Sequence, residues 1–383
     1  MQADFSELWK ISMKGALPGR TWHWWWWLFF FENKEKPDYP LQLMILWGNK
    51  NAKKTLINGF RWNPKLPIVE KEDECTFESV VASWFYDGKK VREPFILESG
   101  PTVTKVAGDR GSISMESGRG IYSYGGRDAD FYLKAENPDL SVDLKMTRWT
   151  DEMARLILTG RKFVGGKMGY SMLKYRGLNA SGSIKFDGST ASVRGRAYFQ
   201  KVRIFSLTPC WYWGVIQWDN GSYLQYFLPH AGLPMLRQAY SHKTGMDWGY
   251  KVVSRTMNFY DAEAQKEYLL KDVSISKRYE NDLPVMRVTG RGSAAGAREG
   301  SDDASENGDK TSGEVEITAE MAAYGRCCWD ISQPFVPPFW LGIFYNEYPA
   351  RVTNFSFRAP GRTIRMGDMG KSYCNIEHSW GTI

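Results

Sequence analysis

Gly195 to Leu228 reads GRAYFQKVRIFSLTPCWYWGVIQWDNGSYLQYFL. It parses as a strand, a short crossing and a hairpin. The hairpin arms are WYWGVIQW and YLQYFL, and the turn is Asp219-Asn220-Gly221-Ser222. Aromatic and β-branched residues suit a pleated, half-buried surface, and an Asn-Gly pair supplies the backbone angles a tight hairpin turn requires. The same phrase occurs once before. Trp24 to Asn33 (WWWWLFFFEN) aligns without a gap onto Trp211 to Asn220 (WYWGVIQWDN). Each copy returns through a Leu-Gln pair, Leu41-Gln42 and Leu224-Gln225. Two copies half a chain apart predict duplication of one β module; the alternative is a chance match between aromatic-rich strands.

The composition supports an all-β chain. Its 17 Trp, 20 Tyr and 20 Phe are a heavy aromatic load for 383 residues, and 37 Gly accompany many short turn signals. Such a length is long for one domain and comfortable for two, and the division is placed between residues 1–205 and 206–383. The 50 basic residues against 43 acidic ones leave a net charge of +7, with no dense Lys/Arg block. Single-strand nucleic-acid platforms interleave exposed aromatics with Lys and Arg. Here the densest aromatic runs contain almost no basic residues, so nucleic acid is not an expected partner.

Five cysteines, Cys75, Cys210, Cys327, Cys328 and Cys374, are odd in number and have no metal-ligand spacing. They read as reduced, packed thiols in a cytoplasmic protein. His23, His230, His242 and His378 show no metal-like spacing either. No phosphate-binding, dinucleotide or nucleophile-elbow motif is present, so neither a metal nor a cofactor is implied. The opening MQADFSELWKISMKG lacks the charged and apolar regions of a signal peptide. The run Trp22 to Phe31 is about half the length a membrane-spanning helix needs. Peripheral membrane contact through exposed Trp stays open, because indoles prefer the interface.

Along the chain, Ser6 is expected to cap a short turn over Leu8, Trp9 and Ile11, closed by Gly19. Hairpins are predicted at Asn58-Gly59, at Asp87-Gly88, across Asn137-Pro138-Asp139 and at Asp187-Gly188. Leu140, Val142, Leu144 and Met146 alternate onto one face. Thr150 to Thr159 is predicted as a short helix or turn. Lys251 to Phe259, Glu267 to Lys277 and Glu314 to Tyr324 read as strands, and Gln333 to Pro338 as a Pro-rich corner. Residues 290–313 are small, polar and acidic without apolar periodicity, which predicts a disordered loop.

The segments YSMLKYRGLNASGSIKFDGSTASVRGRAYFQKVR and WYWGVIQWDNGSYLQYFL together resemble the lipocalin-like family of carotenoid 1,2-hydratases, which also includes lipocalin-like Diels–Alderases. The family shares a strand–DG–strand hairpin, then a G-x-A-W-x-D-H-E-W strand and a W-x-W-F-x-x-Q-x-x-D-G hairpin. Its aromatic E-W-W-Y strand corresponds to His23-Trp24-Trp25-Trp26, and its closing strand with a Glu corresponds to Gly370 to Glu377. The resemblance covers most of the chain in order, and it rests on order and spacing more than on any single motif. It implies two tandem lipocalin-like antiparallel β barrels, with a ligand site at or between them.

The departures from the family matter. Its W-M-D-H-E is Tyr198-Phe199-Gln200-Lys201-Val202 here, so the Asp that protonates an isoprenoid double bond falls on Gln200. A carboxylic acid protonates an alkene; a primary amide is no general acid near neutral pH. The acid of E-W-W-Y is likewise His23. Gln200 shares a side of its strand with Tyr198 and Val202, and it is either a polar group orienting a ligand or a buried amide bonded to backbone. The candidate catalytic set is Gln200, His23 and Glu377. The candidate ligand-binding set is Trp24, Trp25, Trp26, Tyr198, Trp211, Trp213 and Tyr226, as an aromatic wall for a polyene, prenyl or polycyclic guest. Such a wall stabilises carbocations through the ring quadrupole; the alternative is that these rings pack the barrels. His378, beside Glu377, is a further acid/base candidate.

Three functions follow in different classes. One is an enzyme that adds to, cyclises or isomerises an isoprenoid- or polyketide-like molecule. The second is a non-catalytic carrier of a hydrophobic ligand. The third, least favoured by the residues, is single-stranded nucleic-acid binding.

Overall fold

The computed structural model describes residues 3–11, 21–50, 54–163, 168–205, 210–248, 250–293, 313–334 and 340–383. The chain divides into two compact units, one built from Gln2–Thr208 with Ser332–Pro334, the other from Met1, Pro209–Ile331 and Phe335–Ile383. Among the described residues no helix is long and apolar enough to cross a membrane.

In the first unit ten strands run as an up-and-down meander: β1 (Thr21–Phe31), β2 (Leu41–Lys50), β3 (Glu74–Tyr86), β4 (Val91–Ala107), β5 (Arg110–Glu116), β6 (Ile121–Arg127), β7 (Asp130–Glu136), β8 (Leu140–Arg148), β9 (Met168–Phe186) and β10 (Ser189–Phe205). Each pairs antiparallel with the next, and β10 pairs with β1, which closes a ten-stranded barrel. Closure removes the unpaired edges that an open sheet would expose. The alternation expected of Leu140, Val142, Leu144 and Met146 holds, since all four are buried in the core. The predicted hairpins form too. Asn58 and Gly59 adopt positive φ (47° and 81°), as do Asp187 and Gly188 (47° and 73°).

The second unit repeats the plan with β11 (Cys210–Trp218), β12 (Tyr223–Ala231), β13 (Thr256–Asp261), β14 (Lys266–Leu270), β15 (Asp272–Glu280), β16 (Leu283–Ser293), β17 (Glu314–Ala323), β18 (Trp340–Ala359) and β19 (Ser372–Thr382). The ladder runs β14-β13-β12-β11-β19-β18-β17-β16-β15. It wraps one core that draws residues from every one of these strands. The first strand of each unit lies between its hairpin partner and the unit's last strand: β1 between β2 and β10, β11 between β12 and β19. The sequence repeat is thus a repeat of position.

Several local expectations are corrected. Asp4, not Ser6, caps the first turn: its carboxylate accepts from the Ser6 amide over a 3-10 helix at Phe5–Leu8. Gly19 lies outside the described residues. Of the helix or turn expected over Thr150 to Thr159, the turn forms at its start, where Thr150 Oγ1 accepts from the Met153 amide, and only the end differs, Ile157–Phe163 being strand. Lys251 to Phe259 splits into Lys251–Val252 and β13, and Glu267 to Lys277 splits into β14 and β15. Trp340–Ala359 form one continuous strand, β18. Of the predicted loop at 290–313, residues 290–293 extend β16 and Gly313 precedes β17; the rest lies outside the described residues. A six-residue helix, α1 (His242–Asp247), was not foreseen; Ser241 caps it by accepting from the Thr244 amide. The cysteines form no disulfide: Cys75, Cys327 and Cys374 are buried, and Cys210 and Cys328 are half-buried.

Candidate active site

Strand alternation divides the two aromatic runs identically. Trp25, Trp27, Phe29 and Phe31 enter the first core, so Trp24, Trp26, Leu28 and Phe30 point to the outer face. Tyr212, Ile216 and Trp218 enter the second core, and Trp211, Trp213, Val215 and Gln217 point outward. Every aligned pair therefore falls on the same face of its own sheet.

The equivalence extends to the last strands. Trp26 lies opposite Gln200 on β10, and Trp213 lies opposite Glu377 on β19. One strand further on, Gln200 faces Lys174 of β9 and Glu377 faces Glu347 of β18. The outward position that holds an amide and a lysine in the first unit holds two carboxyls in the second.

Those carboxyls share one hydroxyl. Tyr345 Oη is 2.7 Å from Glu377 Oε1 and 2.7 Å from Glu347 Oε1. Trp211 Nε1 donates to Glu377 Oε2 at 2.8 Å, and Trp329 Nε1 donates to Glu347 Oε2 at 2.7 Å. Both glutamates are buried, whereas Trp211 and Tyr345 are half-buried, with ring centroids 5.2 Å apart. A tyrosine hydroxyl has a single hydrogen, so it donates to one carboxylate only. The other 2.7 Å contact is a hydrogen bond only if that carboxyl carries a proton and donates to Oη.

Energetics favour the same state. Stripping water from one carboxylate costs several kcal/mol, and a hydrogen bond to a charged group returns about 1.5–3 kcal/mol. The two indoles and the phenol offset one charge, not two adjacent ones. Burial, and then the neighbouring Glu347, push the Glu377 carboxyl up to about 8, while the bonds from Trp211 and Tyr345 oppose the rise. Burial and the two acids hold the Tyr345 phenol well above its ordinary value, so it stays protonated. The cluster thus reads carboxyl, phenol, carboxylate, with one proton held between the two acids.

No family model and no curated protein matches the sequence. Among solved structures, a Nitrosomonas europaea protein designated AttH superposes with a TM-score of 0.50 at 13% identity, over 96% of this chain and 94% of that one. The two chains share a fold. Kievitone hydratase from Nectria haematococca superposes with a TM-score of 0.43 at 8% identity, over 98% and 92% of the respective chains. The fold is all-β and lipocalin-like.

The candidate residues separate into groups. Glu377 and Trp211 are hydrogen-bonded, and Trp213 lies opposite Glu377 on the same outer face. Gln200, Tyr198 and Trp26 form another group on the outer face of the first barrel. There Tyr198 Oη donates to Gln200 Oε1 at 3.1 Å and the Trp26 ring packs edge-on to Tyr198 at 5.7 Å. Trp24 is half-buried and packs against Met172, Val202 and Ile204. Trp25 is on the opposite face, stacked 5.9 Å from Phe77 inside the barrel, and its indole donates to Leu8 O at 2.6 Å. Tyr226 likewise points into the second core, its hydroxyl 3.9 Å from Met286 Sδ.

His23 is buried with the inward parity of Trp25, opposite Arg203 and Asn49, so its side chain leaves β1 on the face away from Gln200. His378 neighbours Glu377 in sequence but points inward, its ring tilted against that of Tyr212 at 4.5 Å. Burial first, and then His230 and Lys277, hold it well below the usual histidine range, so it is neutral and faces away from the acid pair. Glu347, Tyr345 and Trp329 were not anticipated. Tyr345 and Glu347 are two residues apart and so share a face, but nothing in the sequence reveals that β18 lies beside β19.

Proposed function

We propose that the protein binds an apolar, unsaturated small molecule of isoprenoid or polyketide type and transforms it by proton transfer, through addition, cyclisation or isomerisation. The observation that carries this reading is the single hydroxyl of Tyr345 held at 2.7 Å from both Glu377 and Glu347. Protonated Glu377 gives its proton to a substrate double bond, and the π pair of that bond forms the new C–H bond. The resulting cation is stabilised by the neighbouring indole face of Trp211 and by the negative charge left on the pair. Water then adds to the cation, an internal alkene closes on it, or a proton returns to the carboxylate. A carboxyl buried without full ionisation is the group such chemistry needs, and Gln200, at the matching position of the first unit, cannot supply it.

The carrier reading keeps one specific support, the amide at Gln200 where the hydratase resemblance expects an acid. One experiment separates the two. The full chain is incubated with a panel of polyenes and prenylated phenols in heavy-oxygen water and in deuterium oxide, and products are weighed by mass spectrometry. Addition incorporates heavy oxygen, and isomerisation or cyclisation incorporates deuterium. The proposal requires that label be lost in Glu377→Gln. Unlabelled panel compounds across pH 6–9, together with an intact lipid co-purifying in native mass spectrometry, would leave the carrier.

A further inference from the structure

Four large apolar side chains stand exposed within one short stretch of the second unit: Leu233 (77% exposed), Leu236 (64%), Trp248 (42%) and Val253 (52%). A single exposed leucine needs no explanation, but a cluster marks an interaction surface. Backbone pairing gathers these four. Ala231, at the end of β12, pairs with Lys251, and His230 pairs with Val252. The Val253 amide donates to Pro229 O at 2.8 Å. The chain therefore leaves β12 towards Leu233 beside the segment that carries Trp248 and Val253.

The exposure is built in. Met235, between the two leucines, is buried and bonded on both sides: its amide donates to Gly381 O at 2.9 Å, and the Ile383 amide donates to Met235 O at 3.0 Å. That anchor holds Leu233 and Leu236 out in solvent. Trp248 follows α1, whose Met246 is buried, and its amide donates to Thr244 O at 2.8 Å. Lys251, Val253 and Arg255 are exposed while Val252 and Ser254 between them are half-buried, so two cations and an apolar side chain share one face. Trp248 is also the one exposed tryptophan among the described residues, since the run Trp22 to Trp27 is buried or half-buried.

The local charge is positive. Arg237, Lys243, Lys251 and Arg255 lie in this stretch against one acid, Asp247. Arg237 and Lys243 are ion-paired with Asp330 and Asp282, whereas Lys251 and Arg255 make no ion pair among the described residues. A twofold contact with a second copy would set this positive patch against itself, because such an interface repeats one surface on both sides. An anionic lipid surface suits both features. It takes up protruding leucine, valine and tryptophan side chains without a matching shape, and its headgroups meet the cations.

We propose that this face of the second unit docks on an anionic bilayer. Leu233, Leu236, Trp248 and Val253 enter the interface, and Lys251 and Arg255 meet the phosphate and carboxylate headgroups. The docking is independent of the Glu347–Glu377 pair and holds whether the protein transforms its ligand or carries it.

Co-sedimentation of the full chain tests it, with vesicles of phosphatidylcholine alone and of phosphatidylcholine and phosphatidylserine in equal parts. Each cation near an anionic surface strengthens binding about fivefold. The chain should pellet with the mixed vesicles, bind phosphatidylcholine alone at least about tenfold more weakly, and be released by salt, which screens the charges. Lys251→Gln with Arg255→Gln and, separately, Leu233→Ser with Leu236→Ser should each weaken binding to the mixed vesicles at least about tenfold. No pelleting, equal binding to the two vesicle types, or full binding by either double variant would overturn the proposal. So would a dimer in sedimentation velocity that Leu233→Ser with Leu236→Ser dissolves, since the face would then join two copies. Should either variant fail to fold, amide exchange of the native chain decides: slowing at Leu236 and Val253 on the mixed vesicles supports docking, and unchanged exchange there refutes it.

Discussion

Gln200 and Glu377 occupy matching positions in the two units: each lies on its unit's last strand, opposite an outward tryptophan of the first, Trp26 for Gln200 and Trp213 for Glu377. Of these two matching outward positions, one carries an amide and the other a carboxyl. Glu347 beside Glu377 then supplies what a lone buried acid lacks, a like charge that holds the proton on.

Glu377→Gln should therefore abolish proton donation while leaving binding in place. General-acid residues contribute about 10²–10⁴-fold to rate, and the expected loss is of that order in kcat, with KM little changed. In the unsubstituted protein the rate should fall as pH rises through about 8, where the Glu377 proton is lost. Steady-state kinetics on whichever panel compound takes up label checks both; a Glu377→Gln variant of full activity removes the carboxyl from the mechanism.

The same proton links to stability. Glu377 ordinarily titrates near 4.5 and in the fold near 8, so between those values the folded state holds a proton the unfolded chain has released. Stability should decline from about pH 4.5 to about pH 8. Urea unfolding at several pH values should show that decline in the native chain and a flatter profile in Glu377→Gln.

Lys201 has the opposite sign. Burial lowers its amine from 10.5 to about 7; Glu7 and Cys75 oppose the shift, and Arg203 and Lys10 reinforce it. Between about 7 and 10.5 the unfolded chain holds the extra proton, so this group makes stability rise with pH over that window. The stability difference between the native chain and Lys201→Met should grow in favour of the native chain from pH 7 to pH 10, read by urea midpoints. A constant difference would mean that the lysine titrates normally.

Removing the Tyr345 hydroxyl should cost more than one bond. Tyr345→Phe leaves Glu377 Oε1 and Glu347 Oε1 without the oxygen that now contacts both. A buried acceptor left unsatisfied costs about 1–3 kcal/mol, and the loss should be larger at pH 9, where the pair is more ionised. Chemical unfolding of the variant at pH 6 and pH 9 measures it.

Gly195, which opens the stretch that first reveals the repeat, lies where β10 approaches β1 closely. A Cβ there would lie 1.9 Å from Phe30 O, a backbone atom of the strand it pairs with. Overpacking typically costs about 1–3 kcal/mol and sometimes more. Gly195→Ala should reach the top of that range or beyond and speed amide exchange along β1 and β10; a wild-type unfolding midpoint would show the close approach to be dispensable.

The sequence by itself determined most of the strands, their hairpins and the recurrence of the aromatic phrase. Strands and hairpins depend on neighbours a few residues apart, through alternating apolar faces and Asn-Gly and Asp-Gly turns, and the doubling is read directly from the recurrence of WWWWLFFFEN as WYWGVIQWDN half a chain later. It also marked Glu377 and Trp211. Tertiary structure decided the rest. Which residue faces which across β18 and β19 depends on register between strands whose pairing no local signal encodes, so Glu347 and Tyr345 stayed hidden and His378 looked closer to the acid than it is. A one-residue step along a strand reverses the side a chain presents, and that step separates Trp25 and Tyr226, which pack the cores, from Trp26 and Trp213, which lie opposite Gln200 and Glu377.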